Sequence, residues 1–202
     1  MKKVILATHN LNKVKEIEPL LLDLKLKVSS LKEFPDFKPV SEDGRTIEEN
    51  ARKKASEAAR GLGMWVLSDD TGLEVDALNG QPGVLSARFA GEGSSYADNN
   101  RKLLWLLRGL GLEQRTALFR CVVSLASPQG KVWSEEGILR GLILEEFRGE
   151  RGFGYDPLFF IPSLGKTLAE LALEEKNRIS HRAQAIHKAK AHILRELLEA
   201  SP

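Results

Sequence analysis

The sequence predicts an α/β fold on a mixed sheet, and three observations predict it. A short apolar run, Val4 to Ala7, passes at Asn10 into apolar positions at helical spacing, a strand–turn–helix unit. Thr46 with Glu49 three residues later is a capping-box signature that opens an amphipathic helix. Farther on, Ala117, Phe119, Cys121, Val123 and Leu125 alternate as a long strand, and Pro128 to Lys131 turn it into a second long segment, Val132 to Phe147, so this pair reads as a hairpin. A mixed sheet flanked by helices is the simplest architecture that holds these parts.

Residues 3 to 7 form the first, buried strand, and Asn10 caps a helix carrying Leu11, Val14, Ile17, Leu20, Leu21 and Leu24. Leu26 and Val28 alternate in a second strand, and Glu33 to Asp43, with two prolines, is a loop. The Thr46 helix runs through Ile47, Ala51, Ala55, Ala58, Ala59 and Leu62 and stops near Gly61 or Gly63. Met64 to Leu67 is a third strand that places Ser68, Asp69, Asp70, Thr71 and Gly72 at its end. Asn79-Gly80 and Pro82-Gly83 punctuate an extended stretch up to Phe89, and Ser95 with Asp98 opens a helix bearing Leu103, Leu104 and Leu107. Past a glycine-bearing loop, Gly149 to Pro157, come a strand over Leu158 to Ile161 and a second Thr–Glu box at Thr167 and Glu170. Ser180 caps a final helix with one apolar stripe, Ala183, Ile186, Ala189, Ile193 and Leu197. No repeat, biased segment or linker divides the chain, so residues 1–202 read as a single domain.

Thirty Lys and Arg against 28 Asp and Glu leave a formal charge of +2. No global field recruits nucleic acid or an anionic membrane, and any anion site has to be local. Cys121 is the one cysteine, which excludes an internal disulfide and fits a reducing cytoplasm. The start, Met1-Lys2-Lys3 and four apolar residues, is too short for a signal peptide, and no stretch approaches the roughly 18 apolar residues of a membrane span.

Four constellations can carry chemistry, and each has a plainer reading. Thr8-His9-Asn10-Leu11-Asn12-Lys13 sits where strand meets helix; free N–H groups, the dipole and the Lys13 charge suit phosphate, although a plain cap and a solvated lysine account for the same residues. Glu42, Glu49, Asp69 and Asp70 are loop and strand-end carboxylates of the kind that hard divalent cations take, or else a capping box and a turn. Two adjacent aspartates on an extended chain point opposite ways. Gly152-Phe153-Gly154-Tyr155-Asp156-Pro157 allows close backbone approach and ring stacking, or is a rigid turn with core aromatics. Lys176, His181 and Arg182 gather donors around the Ser180 cap, or are ordinary surface residues.

In order and kind these segments resemble the inosine/xanthosine triphosphate pyrophosphatases, the Ham1/RdgB-like enzymes that remove non-standard purine nucleotides. The resemblance runs from Val4 to about Ile186. Its markers are Thr8-His9-Asn10 with Lys13; Glu42-Asp43-Gly44 with Thr46, Glu49-Asn50-Ala51 and Lys54-Ala55; Ser68 to Leu73 continuing to Ser86-Ala87-Arg88; Gly152 to Pro157; and Ser180-His181-Arg182. It implies a mixed, elongated central sheet in two lobes with a nucleotide cleft between them, a Mg²⁺ cofactor, and cleavage of ITP, dITP or XTP between the α and β phosphates. By the same resemblance Thr8 to Lys13 hold the triphosphate, Glu42 and Asp70 ligate metal, and Asp70 activates the attacking water, with Lys54 neutralising phosphate charge. Thr71 touches substrate, Phe153 stacks on the base within a loop that includes Gly154, Tyr155 and Asp156, Lys176 meets the nucleotide, and His181 with Arg182 address the base's oxo edge. A homodimer is implied too, for which the apolar positions of Leu73 to Phe89 offer a contact. His9 stands where glycine is frequent in the family, and Thr71 where serine is common. Two other readings are a related pyrophosphatase for modified pyrimidine nucleotides and a nucleotide sensor that does not hydrolyse.

Overall fold

The computed structural model describes residues 2–199; Met1 and residues 200–202, the ends of the span read as one domain, lie outside the described residues. Eight described strands form one sheet: β1 (Lys3–Leu6), β2 (Lys27–Ser30), β3 (Val66–Val75), β4 (Pro82–Gly83), β5 (Thr116–Ala126), β6 (Val132–Ile143), β7 (Phe159–Ile161) and β8 (Lys166–Thr167). Their order is β2-β1-β3-β5-β6-β7-β8, with β4 paired to β3. β1 runs parallel to β2 and to β3, whereas β4, β7 and β8 pair antiparallel, so the expected mixed sheet is present. The helices are α1 (Leu11–Leu21), α2 (Ile47–Leu62), α3 (Tyr96–Leu106), α4 (Leu173–Ile179) and α5 (His181–His192), the last continuing as wider π turns over Ile193–Glu199. None is long and apolar enough to cross a membrane.

The chain divides into two compact units. Among the described residues the first comprises 2–70, 121–137 and 181–199, the second 71–120 and 138–180. In the first, alternation along β1 sends Val4 and Leu6 into one cluster with Ile17 and Leu21 of α1 and Ala183, Ile186 and Ile193 of the C-terminal helix. Ile5 and Ala7 go the other way, to Ala55, Ala58 and Ala59 of α2, so helices cover both faces here. The second unit has its own core around Leu73, Phe89, Leu103, Phe119 and Phe159.

Local signals placed the helix starts. Asn10 Oδ1 accepts from the Asn12 N–H at 2.9 Å, and Thr46 and Ser95 make the reciprocal capping boxes with Glu49 and Asp98. Three features differ from the sequence reading. β3 does not stop at Leu67 but runs ten residues to Val75, so Asp69 and Asp70 lie mid-strand and not at a strand end. The polar run 68–72 looks like a turn, yet each buried carboxylate meets a cation from another element, which keeps the strand intact. Leu173–Ile179 forms the unanticipated helix α4, whose first turn is capped when Glu175 Oε2 accepts the Ala172 N–H at 2.8 Å. β5, read as an alternating strand, is buried on both faces, since Leu118, Val122 and Ser124 are covered as well as the alternating set. Within Leu73 to Phe89, the residues Leu73, Val75 and Phe89 belong to the core, while Leu85 is exposed.

α5 meets β6 backbone to backbone. A Cβ built on Gly137 would lie 2.0 Å from the His181 carbonyl oxygen and 2.7 Å from the Ala185 nitrogen. Close approach at this glycine seats the start of α5, which carries His181 and Arg182. Gly137→Ala is expected to cost about 1–3 kcal/mol through this overpacking. Urea denaturation checks this, and an unshifted midpoint would contradict the contact.

Candidate active site

In the first unit, α1, α2, β3 and α5 bring a set of charges together. Lys54 is one helical turn beyond Asn50 on α2 and is 6% exposed. Its ammonium donates to Glu42 Oε1 at 2.8 Å, to Asp70 Oδ1 at 3.2 Å and to the Asp69 carbonyl oxygen at 2.7 Å. Ser68 Oγ donates to the Ala51 carbonyl oxygen at 2.5 Å, tying β3 to α2 one residue before the pair. Strand alternation then turns Asp69 the other way. Its Oδ2 takes Lys13 at 3.0 Å and the Arg182 guanidinium, from Nε at 3.2 Å and from Nη2 at 3.1 Å. The third guanidinium nitrogen of Arg182, Nη1, donates to Glu16.

Neighbouring aspartates thus have opposite electrostatics. Burial alone would push the Asp69 carboxyl up, but Lys13, Arg182 and Lys54 outweigh it and hold it far below the usual carboxylate range. For Asp70, burial dominates; Lys54 and Lys13 offset only part, Glu42 and Asp69 add repulsion, and its proton affinity rises. Lys54 loses hydration to burial, yet Asp70, Glu42 and Asp69 more than compensate, so it stays an ammonium.

Beside this cluster lies the strand-to-helix turn. The Asn10 N–H donates to Thr8 Oγ1 at 3.1 Å, so Thr8 and Asn10 shape the turn that opens α1. His9 and Leu11 are exposed there, and Asn12 and Lys13 half-buried. Thr71 follows Asp70 on β3 and is half-buried.

The aromatic loop is built within the second unit. Asp156 is 3% exposed, and its Oδ2 accepts from Lys176 at 2.5 Å and from the Phe153 N–H at 2.8 Å. The Lys176 ammonium lies 5.3 Å from the Phe153 ring centroid, and Tyr96 stands 6.0 Å from the same ring. Asn100 Nδ2 donates to the Gly154 carbonyl oxygen at 2.9 Å, and Tyr155 Oη donates to the Ser86 carbonyl oxygen at 2.9 Å. Phe153, Gly154, Tyr155, Asp156 and Lys176 therefore form one clamped, ring-bearing loop. His181 and Arg182, by contrast, belong to the first unit and are 2% and 1% exposed.

A Ham1 family model matches residues 4–192. The chain belongs to the Ham1 family. Among this family member's relatives, the "dITP/XTP pyrophosphatase" of Desulforamulus reducens is 54% identical over 187 residues, 93% of each chain. That of Geobacter sulfurreducens is 51% identical over 193 residues, 96% of this chain and 97% of the relative. A solved Ham1 protein from Coxiella burnetii superposes with a TM-score of 0.87 at 39% identity, covering 96% of this chain and all of that one.

Two positions in this Ham1 family member carry more of the site than sequence reading gave them. Glu16 lies three residues after Lys13 on α1 and is 4% exposed against Arg182. Its spacing put it near Lys13 on one helical face, but nothing local announced a partner 166 residues away. Asn100 is buried on α3, where only its contact with Gly154 gives it a role.

Proposed function

We propose that this chain, acting over residues 1–202 as one pyrophosphatase domain, hydrolyses non-standard purine nucleoside triphosphates, ITP, dITP and XTP, to the monophosphate and pyrophosphate, clearing them before incorporation into nucleic acid. The observation that carries the reading is the Lys54 ammonium bracketed by Glu42 and Asp70, with Lys13 held close by on Asp69. Relatives near 50% identity over almost the whole chain bear the name dITP/XTP pyrophosphatase, which supports the same substrates here.

Two carboxylates gathered around a cationic position fit Mg²⁺, which takes one or two from protein and completes its sphere with water and phosphate oxygens. Among the described residues no group of three or more His, Cys, Asp or Glu side chains gathers, and Glu42 with Asp70 are the two carboxylates that would hold the cation. Bound there, Mg²⁺ supplies charge neutralisation on the phosphates and makes a nearby water easier to deprotonate. Asp70 accepts the proton as the water oxygen bonds to the α phosphorus; the bond from that phosphorus to the bridging oxygen breaks, and pyrophosphate leaves. Burial raises the proton affinity of Asp70 above the ordinary carboxylate value, the direction that favours a proton acceptor. Lys13 and Lys54 face the charge that builds on the phosphate oxygens. Thr8, His9, Asn10, Leu11 and Asn12 line the triphosphate turn with Lys13, and Thr71 adds a hydroxyl beyond Asp70.

On this reading Phe153 stacks on the base, with Gly154, Tyr155, Asp156 and Lys176 fixing the platform, and His181 with Arg182 are the donors assigned to the oxo edge. A donor facing the 6-position satisfies a carbonyl and leaves an adenine amino group unpaired. With Mg²⁺ and a panel of ITP, XTP, dITP, ATP, GTP and UTP, the first three should release pyrophosphate and monophosphate fastest, ITP outpacing ATP by on the order of 100-fold or more in kcat/KM. Nucleoside diphosphate with orthophosphate as products, or equal rates for ATP and ITP, would overturn the reading. The enzyme is cytoplasmic and homodimeric on this reading, and light scattering after size exclusion tests the dimer.

A further inference from the structure

We propose that Asn50 is a positioning residue for Glu42: its side-chain amide captures the Gly44 N–H and so fixes the loop that presents the metal-binding carboxylate. This rests on the reading of Glu42 as a metal ligand. Glu42 needs such support, because it lies in a segment with neither helix nor strand and its side chain is 39% exposed, whereas Asp70 is built into β3 at 10%. Left to itself a loop carboxylate samples many positions, and each costs entropy to recover when a cation binds.

Asn50 stands in the first turn of α2 and is 1% exposed. Its Oδ1 accepts the Gly44 N–H at 2.8 Å, while its buried Nδ2 finds no hydrogen-bond partner among the described residues. A half-satisfied buried amide is costly, because the hydration it loses is not replaced. For packing alone an apolar side chain of the same size would serve better, so what accounts for the amide is the N–H it holds. The loop is pressed hard against it: a Cβ on Gly44 would lie 2.7 Å from Asn50 Oδ1 and 2.9 Å from Glu49 Cβ. Glu49 extends the same clamp, its Oε2 accepting the Arg45 N–H at 2.6 Å and the Thr46 N–H at 3.3 Å. Three successive loop N–H groups are thereby bound to two side chains of one helical turn. The next turn of that helix carries Lys54, which meets Glu42 Oε1. Loop, carboxylate and lysine are all referenced to α2.

Partners that orient a metal-binding side chain typically cost 10–100-fold in metal affinity when removed, which sets the scale of the test. Mn²⁺ binding to the nucleotide-free protein is measured by EPR titration, beside a thermal melt of each variant. Asn50→Leu, similar in size but without an acceptor, should weaken Mn²⁺ by roughly tenfold or more, and Asn50→Asp, which keeps the acceptor, should stay within about threefold of wild type. Folded Asn50→Leu with wild-type Mn²⁺ affinity overturns the proposal, as does Asn50→Asp weakened as far as Asn50→Leu. Should Asn50→Leu fail to fold, Gly44→Ala presses the loop off Asn50 from the other side; it should lose Mn²⁺ affinity similarly, and unchanged affinity in it overturns the proposal. Glu42→Gln separates the two levels. If it binds Mn²⁺ as wild type does, or if wild type shows no saturable binding, the metal reading itself falls; if Glu42→Gln loses the ion and Asn50→Leu does not, only the role of Asn50 falls.

Discussion

Asp70→Asn should remove about 10²–10⁴-fold of kcat while leaving the fold intact. The substitution keeps the side chain's shape and deletes the proton acceptor. Stability should change by less than about 1 kcal/mol, because the fold does not favour this charge. Burial raises the folded proton affinity of Asp70 above its ordinary value of 3.8, so near neutral pH its ionised form weighs against folding. That penalty is absent below the ordinary value near 3.8, grows as pH rises from there through the raised folded value, and is complete above it. A neutral amide removes the penalty, offset by the loss of one of two carboxylate side chains on Lys54. Pyrophosphate release under saturating nucleotide, with urea denaturation at pH 7 in EDTA, reads both quantities. Wild-type turnover in Asp70→Asn would remove Asp70 from the chemistry.

Its neighbour should behave in the opposite sense. Asp69→Asn should destabilise the protein by about 3–5 kcal/mol at pH 7, since it strips the carboxylate shared by Lys13 and Arg182 and leaves buried positive charge short of a partner. The pH dependence has a definite sign. Asp69 has its folded proton affinity depressed, so the stability it contributes is fully present above the ordinary carboxylate value near 3.8 and is lost as pH falls below that toward the folded value. The gap between wild type and Asp69→Asn should therefore be widest at neutral pH and narrow on acidification below about pH 4. Denaturation midpoints measured across that range check it; equal midpoints at pH 7 would show that Lys13 and Arg182 do not depend on Asp69.

These two expectations divide what each level of description supplies. The sequence by itself determined the features whose hydrogen bonds close within a few residues. Asn10, Thr46 with Glu49, and Ser95 with Asp98 each satisfy N–H groups of their own first turn, so the starts of α1, α2 and α3 were legible. The stripe from Ala183 to Leu197 and the hairpin turn after Ala126 were legible for the same reason, periodicity and turn chemistry being local. Motifs in register from Thr8 to Arg182 also carried the family. Tertiary structure alone decided the rest. Ser68 to Gly72 continues as strand only because Lys13, Lys54 and Arg182 arrive from other elements to neutralise a buried acidic pair. Glu16 and Arg182 meet across 166 residues, and Asn50 reaches back across a loop to Gly44, partners that no local spacing names. The physical ground for the asymmetry between Asp69 and Asp70 is which cations each one faces. A charge's partners are fixed by packing of distant segments, so the pair's opposite proton affinities belong to the fold and not to the string of letters.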